Sequence, residues 1–259
     1  MKRMALIVAL VSLAWGCASG KKAQLRPGQM KVGSAEYLLN EGILNLNAGK
    51  LDIAEKKLFQ ALEKNPDQAA AMNALGLVYT YKRDIDRAIS WFKKTITLDP
   101  NFYDAYNSLG MLYIERNEYD LAKENLLIAA NAANYRTPEN AFTNLALLEF
   151  NASHFDAALR YIDKGIATNK QFPPLYNLKA VTMEQLNRLP EAAENLEKAL
   201  SLLTDPDVVY LTNLARIFQK MGEKTKALDL LEKALGRVLD PASKEAILQA
   251  IQDLEKSSG

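Results

Sequence analysis

NALGLVYTYKRDIDRAISWFKKTITLDP, residues 73–100, decides how the rest of the chain is read. A small residue, Gly76, stands twelve places before Ala88, and a large apolar one, Phe92, follows four places after it. Pro100 closes the stretch. The same punctuation recurs along the chain: Ala54, Ala88, Ala122, Ala158, Ala192 and Ala227 lie 34, 34, 36, 34 and 35 residues apart. Gly42, Gly76, Gly110, Ala146, Ala180 and Ala215 precede them, and Leu58, Phe92, Leu126, Ile162, Leu196 and Leu231 follow. A fixed period of this length marks stacked supersecondary units, none of which buries its apolar face alone.

The spacing has a steric logic. Small residues at places 8 and 20 of the period let two helices of a hairpin approach closely, and large ones at places 4, 7, 11 and 24 fill the space beside them. Proline at Pro66, Pro100 and Pro241 ends one helix or begins the next. With NSLGMLYIERNEYDLAKENLLIAA at residues 107–130, the pattern resembles the tetratricopeptide repeat. That resemblance implies an all-α, right-handed superhelical solenoid of six helix-turn-helix repeats over 35–241, namely 35–68, 69–102, 103–136, 139–172, 173–206 and 208–241. Residues 242–259 read as a capping helix and tail, with Asp240 as N-cap, Pro241 in the first turn, and Ile247, Leu248, Ile251 and Leu254 at helical spacing.

Composition narrows the function. Of 259 residues, 32 are Lys or Arg and 31 Asp or Glu, so no long-range charge favours nucleic acid. One cysteine and one histidine leave no disulfide framework and no metal-ligand cluster, and no nucleophile with a base or phosphate-binding loop stands out. The expectation is a non-enzyme without cofactor, metal or small-molecule substrate, met by a protein partner.

At the N-terminus, Lys2-Arg3 precedes an apolar run from Met4 to Trp15 and then Gly16-Cys17. This is the order of an export signal, too short to span a membrane as a helix. It resembles a bacterial lipoprotein signal over 1–16, which implies acylation of Cys17. Ala14 and Trp15 depart from the usual residues there, with Leu13 one step early. An ordinary signal with a nearby free thiol is the alternative. Ala18 after the cysteine implies, by the family's sorting rule, the outer rather than the inner membrane. Residues 17–34 read as the lipidated end and a tether, small and polar, reaching about 20–25 Å.

Stacked hairpins curve, and the first helix of each pair is expected to line the hollow. Places 9 and 12 stand beside the core-facing stripe because one residue turns a helix by about 100°. Place 9 reads Ile43, Leu77, Met111, Leu147, Val181, Arg216; place 12 reads Leu46, Thr80, Ile114, Phe150, Glu184, Gln219. The stripe is apolar over four repeats and polar in the last two. Together with Tyr81 it is a candidate groove for the apolar face of a peptide. Packing between repeats is the competing use of these side chains. Asparagine recurs nearby at Asn40, Asn73, Asn107, Asn144, Asn177 and Asn213. Such amides could bond an extended ligand backbone or the adjacent repeat. His154 reads as a solvated turn residue without a partner, Lys56-Lys57 and Lys93-Lys94 as solvated faces, and Trp91 as packing.

The 36-residue interval places two extra residues in NAANYRTPENAFTNLALLEF, 131–150, where Tyr135-Arg136-Thr137 is expected to form an ordered turn before a helix beginning at Pro138. With six repeats, a lipoprotein-like signal, and Tyr135, Pro138, Glu139, Asn144 and Leu145 in this order, the chain resembles the type IV pilus pilotins of the PilF, PilW and Tgl kind. The resemblance implies an outer-membrane lipoprotein facing the periplasm that escorts secretin subunits and promotes their multimerisation, binding them in an apolar groove of the early repeats. A different envelope scaffold, for outer-membrane protein assembly or cell-wall enzymes, is the alternative.

Overall fold

A computed structural model describes residues 31–256. The expected signal over 1–16, Cys17 and most of the tether lie outside the described residues. Thirteen helices occupy them: α1 (Ala35–Asn47), α2 (Leu51–Lys64), α3 (Ala69–Tyr81), α4 (Ile85–Leu98), α5 (Tyr103–Glu115), α6 (Tyr119–Asn131), α7 (Pro138–Asn151), α8 (Phe155–Thr168), α9 (Pro173–Gln185), α10 (Leu189–Ser201), α11 (Val208–Lys220), α12 (Lys224–Leu235) and α13 (Pro241–Lys256). No strand occurs among the described residues. The fold is all-α, as the 34-residue period requires.

Local signals place the helix ends. Ser34 accepts from the Tyr37 amide at 3.2 Å, Asp84 from that of Arg87 at 3.1 Å, and Asp207 from that of Val209 at 2.8 Å. These side chains satisfy donors that the first turn leaves open. Asp240 does the same for the Ser243 amide at 2.8 Å ahead of α13. Within every hairpin the turn passes through one left-handed residue, at Gly49, Arg83, Asn117, Ser153, Asn187 and Gly222. Only two are glycine, so the rule was not visible as a glycine pattern. The amide two residues past the α3 cap shows why the conformation is held: Asp84 N–H reaches back to the Tyr79 carbonyl at 2.9 Å, closing the helix end.

The described chain divides into two compact units, 31–144 and 145–256, with the boundary inside α7. In the N-terminal unit α1 packs on α2, α3 on α4 and α5 on α6, while α2 meets α3 and α4 meets α5. Its core is the periodic set itself: Ala54, Leu58, Leu75, Ala88, Phe92, Ala122 and Leu126 are fully buried. Burying one such leucine or phenylalanine contributes about 1.5–3 kcal/mol. A β-carbon added at Gly42 would lie 2.6 Å from Leu58 Cδ2, and one at Gly76 equally close to the Phe92 ring. Those glycines exist because the partner side chain already occupies the space.

In the C-terminal unit, α9 packs on α10 and α11 on α12, with α8 against α9, α10 against α11, and α13 on α12. Ala146, Ala180 and Ala215 replace the glycines here and are buried, as are Ile162, Leu196 and Leu231. α13 closes this unit with Ile247 and Leu254 buried. Leu248, expected on the same stripe, is instead 41% exposed. Three residues, Ile247, Ala250 or Ile251, and Leu254, already complete one face at 3.6 spacing, and Leu248 falls beside it.

Candidate functional site

The surface of interest in the N-terminal unit is carried by α1, α3 and α5. Ile43, Leu77 and Ile114 are half-buried, their inner atoms packed on the core and their outer atoms open. Met111 is half-buried as well. Tyr81, at the end of α3, is 56% exposed. These side chains complete the packing between hairpins and still present an apolar face.

Leu46 is a correction. It is 3% exposed and belongs to the core, not to the surface. The positions of α3 and α5 equivalent to Asn45 are held by the buried Tyr79 and Tyr113. Asn45 instead turns back and donates to the Glu41 carbonyl at 2.7 Å, and Leu46 fills the vacated space. A second edge effect lies one residue earlier: Leu44 is 55% exposed, whereas its equivalents Val78 and Leu112 are buried against the preceding hairpin. Among the described residues no helix precedes α1.

The asparagines do not form a ladder of open amides. Asn144 donates to Asn107 Oδ1 at 2.9 Å, and both are buried. Of the two uses open to them, the bond to the adjacent repeat holds for this pair: they tie α7 to α5 and are not free for a ligand backbone. Asn40 and Asn73 are half-buried, and the Oδ1 of Asn73 is buried without a hydrogen-bond partner. Asn213 donates likewise to Asn177 at 3.0 Å in the C-terminal unit.

The inserted turn was legible as ordered but not as anchored. Tyr135 is buried, its hydroxyl donating to Asp104 Oδ1 at 3.1 Å and its ring 6.0 Å from that of Tyr103. Burial raises the Asp104 carboxyl above its usual range despite the Tyr135 bond and the nearby Arg136 charge. Between α2 and the end of α3, Lys82 bridges Asp52 at 2.6 Å and Glu55 at 2.5 Å, while Tyr79 donates to Glu55. Burial pushes Glu55 up, and the bonds from Lys82 and Tyr79 outweigh it, leaving the carboxyl below its usual value.

In the C-terminal unit, Leu147 and Phe150 are half-buried, with Leu147 packed against Ala146, Ile162, Leu175 and Leu178 and the Phe150 ring 5.5 Å from Phe155. Val181 is buried rather than lining a surface. The polar end of the stripe is an internal ion cluster: Glu184, 5% exposed, receives Arg216 and, at 2.7 Å, Lys220. Arg216 also donates to Asn213 at 3.1 Å. His154 is exposed in its turn as expected, but it is not without a partner. Its Nδ1 lies 3.0 Å from Glu149 Oε2, a pairing across the tight turn that a five-residue separation conceals. None of these groups brings a nucleophile and a base together, and among the described residues no set of His, Cys, Asp and Glu is placed to hold a metal ion. No helix of the described residues is long and apolar enough to cross a membrane.

Models of the tetratricopeptide repeat match residues 39–101, 91–124 and 211–245. The fold is a tetratricopeptide-repeat fold. Among curated proteins, the chain is 26% identical over 172 residues to the type IV pilus assembly protein PilF of Pseudomonas aeruginosa, covering 66% of this chain and 68% of that one. It is also 26% identical over 233 residues to Superkiller protein 3 of Schizosaccharomyces pombe, covering 85% of this chain but only 16% of the yeast protein. Among solved structures, PilW, described as a widely conserved type IV pilus biogenesis factor, superposes with a TM-score of 0.73 at 18% identity over 83% of this chain and 98% of PilW. That likeness establishes the tetratricopeptide fold alone.

Proposed function

We propose that this chain is a non-catalytic, lipid-anchored scaffold of type IV pilus assembly. It receives secretin subunits on the apolar face of α1, α3 and α5 and promotes their arrival and multimerisation in the outer membrane. The observation that carries the reading is the similarity to PilF, which extends over two thirds of both chains rather than over a few repeats of a much longer protein. Supporting it are the Gly16-Cys17 order after an apolar run, and a half-buried stripe that ends in an exposed tyrosine. Such a surface gains by being covered, since apolar area removed from water contributes about 25 cal/mol per Å². Acylation of Cys17 would hold the domain at the periplasmic face of the outer membrane.

A second reading, a scaffold for another envelope assembly, stays open because the identity to Superkiller protein 3 is equal: repeat proteins share this stacking whatever they bind. Deletion of the gene separates the two. Loss of secretin multimers and surface pili with normal growth supports the pilus reading, whereas general loss of outer-membrane proteins or altered cell shape supports the other. Complementation with Tyr81→Asp and Leu77→Asp tests the surface, and with Cys17→Ala the anchor. The surface assignment fails if both surface variants, folded by circular dichroism, restore multimers fully.

A further inference from the structure

The second helices of the N-terminal hairpins differ from those of the C-terminal unit. Large apolar side chains stand exposed on α2, α4 and α6 at Ile53, Phe59, Leu98, Tyr119, Leu121 and Ile128, and none does on α8, α10 or α12. Apolar residues scattered singly over a surface are ordinary, whereas a set confined to one unit marks a surface with a use.

On α2 and α4 the set is continuous. The Phe59 and Trp91 rings meet edge to face at 5.8 Å, the Lys94 ammonium lies 4.1 Å from the centre of the Trp91 ring, and Ile53 and Arg87 line the same cavity. At 3.6 residues per turn, Ile53, Lys56 and Phe59 fall within about 120° of α2, and Trp91, Lys94 and Leu98 within about 60° of α4. One surface thus crosses both helices, apolar and aromatic with lysines set into it.

That surface has a net sign once the internal ion pairs are set aside. Asp52 and Glu55 are held by Lys82 and Asp86 by Arg116, while Lys57 is paired with Glu41 and Arg87 with Asp84. Lys56, Lys64, Lys93 and Lys94 have no carboxylate partner among the described residues, against one acid of α2 and α4 in the same condition, Glu63. All five are exposed.

A bilayer surface suits these features. Aromatic rings settle at the headgroup boundary, and lysines lay their stems on apolar surroundings while the ammonium reaches anionic lipid. Position along the chain agrees. Only residues 17–34 separate Cys17 from α1, a stretch that reaches about 20–25 Å, so an anchored chain keeps α2 and α4 beside the membrane, where a weak contact becomes a populated one.

We infer that the surface of α2 and α4 rests on the bilayer, with Phe59 and Trp91 at the headgroup level and Lys56 and Lys94 on anionic lipid. The inference rests on the lipid anchor of the proposed function and adds an orientation to it. With α2 and α4 against lipid, Ile43, Leu77 and Met111 on the first helices stay uncovered for the partner.

Trp91 reports the contact, because the other tryptophan, Trp15, belongs to the expected signal. The exported chain is returned from detergent to vesicles of phosphatidylethanolamine and phosphatidylglycerol containing phosphatidylcholine spin-labelled near its headgroup, and Trp91 emission is read. Quenching should be about twofold or more stronger than in vesicles without phosphatidylglycerol, than at high salt, and than in a Lys56→Ser, Lys94→Ser chain with unchanged circular dichroism. A tryptophan moved to the end of α3, by Tyr81→Trp with Trp91→Phe, should be quenched less than Trp91. Equal quenching at the two places, quenching indifferent to phosphatidylglycerol, or none at Trp91 overturns the inference. So does a Trp91 emission shift with polyglutamate and none with lipid, which would give the surface to an acidic protein segment. If the mass of the exported chain shows Cys17 bare, the same reading on a histidine-tagged chain held by a nickel-chelating lipid still decides the contact, and only the anchor is lost. An acylated chain that restores secretin multimers while Trp91 stays unquenched would leave the proposed function standing without this contact.

Discussion

The two units build the same hairpin with different chemistry. In the N-terminal unit the close approach of paired helices is made by Gly42, Gly76 and Gly110, and the first helices present half-buried Ile43, Leu77 and Met111 with no cation among them. In the C-terminal unit alanines take the glycine places, Leu147 and Phe150 stay half-buried, Val181 is buried, and in the last two hairpins Glu184 is held by Arg216 and Lys220. The period specifies helix packing, and it leaves places 9 and 12 to be spent on either a partner or the protein itself. One unit keeps its apolar side chains half open. The other closes them by burial and charge in its last two hairpins.

The largest break in this contrast is expected from the ion cluster. Replacing Arg216 and Lys220 together by alanine leaves the buried Glu184 carboxylate uncompensated and should lower stability by about 3 kcal/mol or more in urea unfolding. Glu184→Gln, whose former partners are partly exposed and can hydrate, should cost about 1 kcal/mol. Equal effects would mean that the cluster is not held by burial of the acid.

The packing contrast comes next. Gly76→Ala drives a methyl against the Phe92 ring and should destabilise by about 1–3 kcal/mol, even though alanine is the better helix former by about 1 kcal/mol. Ala180→Gly, at the same place in the C-terminal unit, should lose about 1 kcal/mol through helix propensity and a small cavity. A stabilised Gly76→Ala protein would show that Phe92 can move aside.

A smaller effect distinguishes the anchored turn by pH. Because burial raises the folded-state pKa of Asp104, the native state binds that proton more tightly than the unfolded chain does. The wild type is therefore favoured by this group below the unfolded value of about 3.9 and loses that contribution as pH rises through the folded value. Asp104→Asn keeps an acceptor for Tyr135 and removes the titration, so the midpoint of the variant relative to wild type should rise from about pH 4 to pH 7. A difference independent of pH would place the carboxyl in water.

The smallest effect concerns the left-handed turns. Ser153, at φ 62°, is exposed in the C-terminal unit, and Ser153→Gly should raise stability by a few tenths to about 1 kcal/mol. Gly222→Ala, at φ 78°, should lower it by a similar amount. Thermal melting of the pair checks both signs.

How far the site could be read depended on how local its causes were. Ile43, Leu77, Met111 and Ile114 follow from helical spacing alone, because a residue's angle on a helix is set by its position. Leu46 did not, since its burial depends on Asn45 abandoning the core place that tyrosine holds in the next two hairpins. The Asn107–Asn144 bond, the Tyr135–Asp104 anchor and the His154–Glu149 contact each join residues whose meeting depends on the turn between them. Asparagine in a period says that an amide is there, and only its neighbours decide whether it is spent.

The sequence by itself determined the helical hairpins, their number over the repeated region and the places that are core, because small and large residues at a fixed period admit one way of packing paired helices. Tertiary structure alone decided which polar groups are free. Hydrogen bonds and ion pairs are satisfied within a few ångströms, by whichever group the neighbouring hairpin happens to bring, and that distance is set by packing rather than by spacing along the chain.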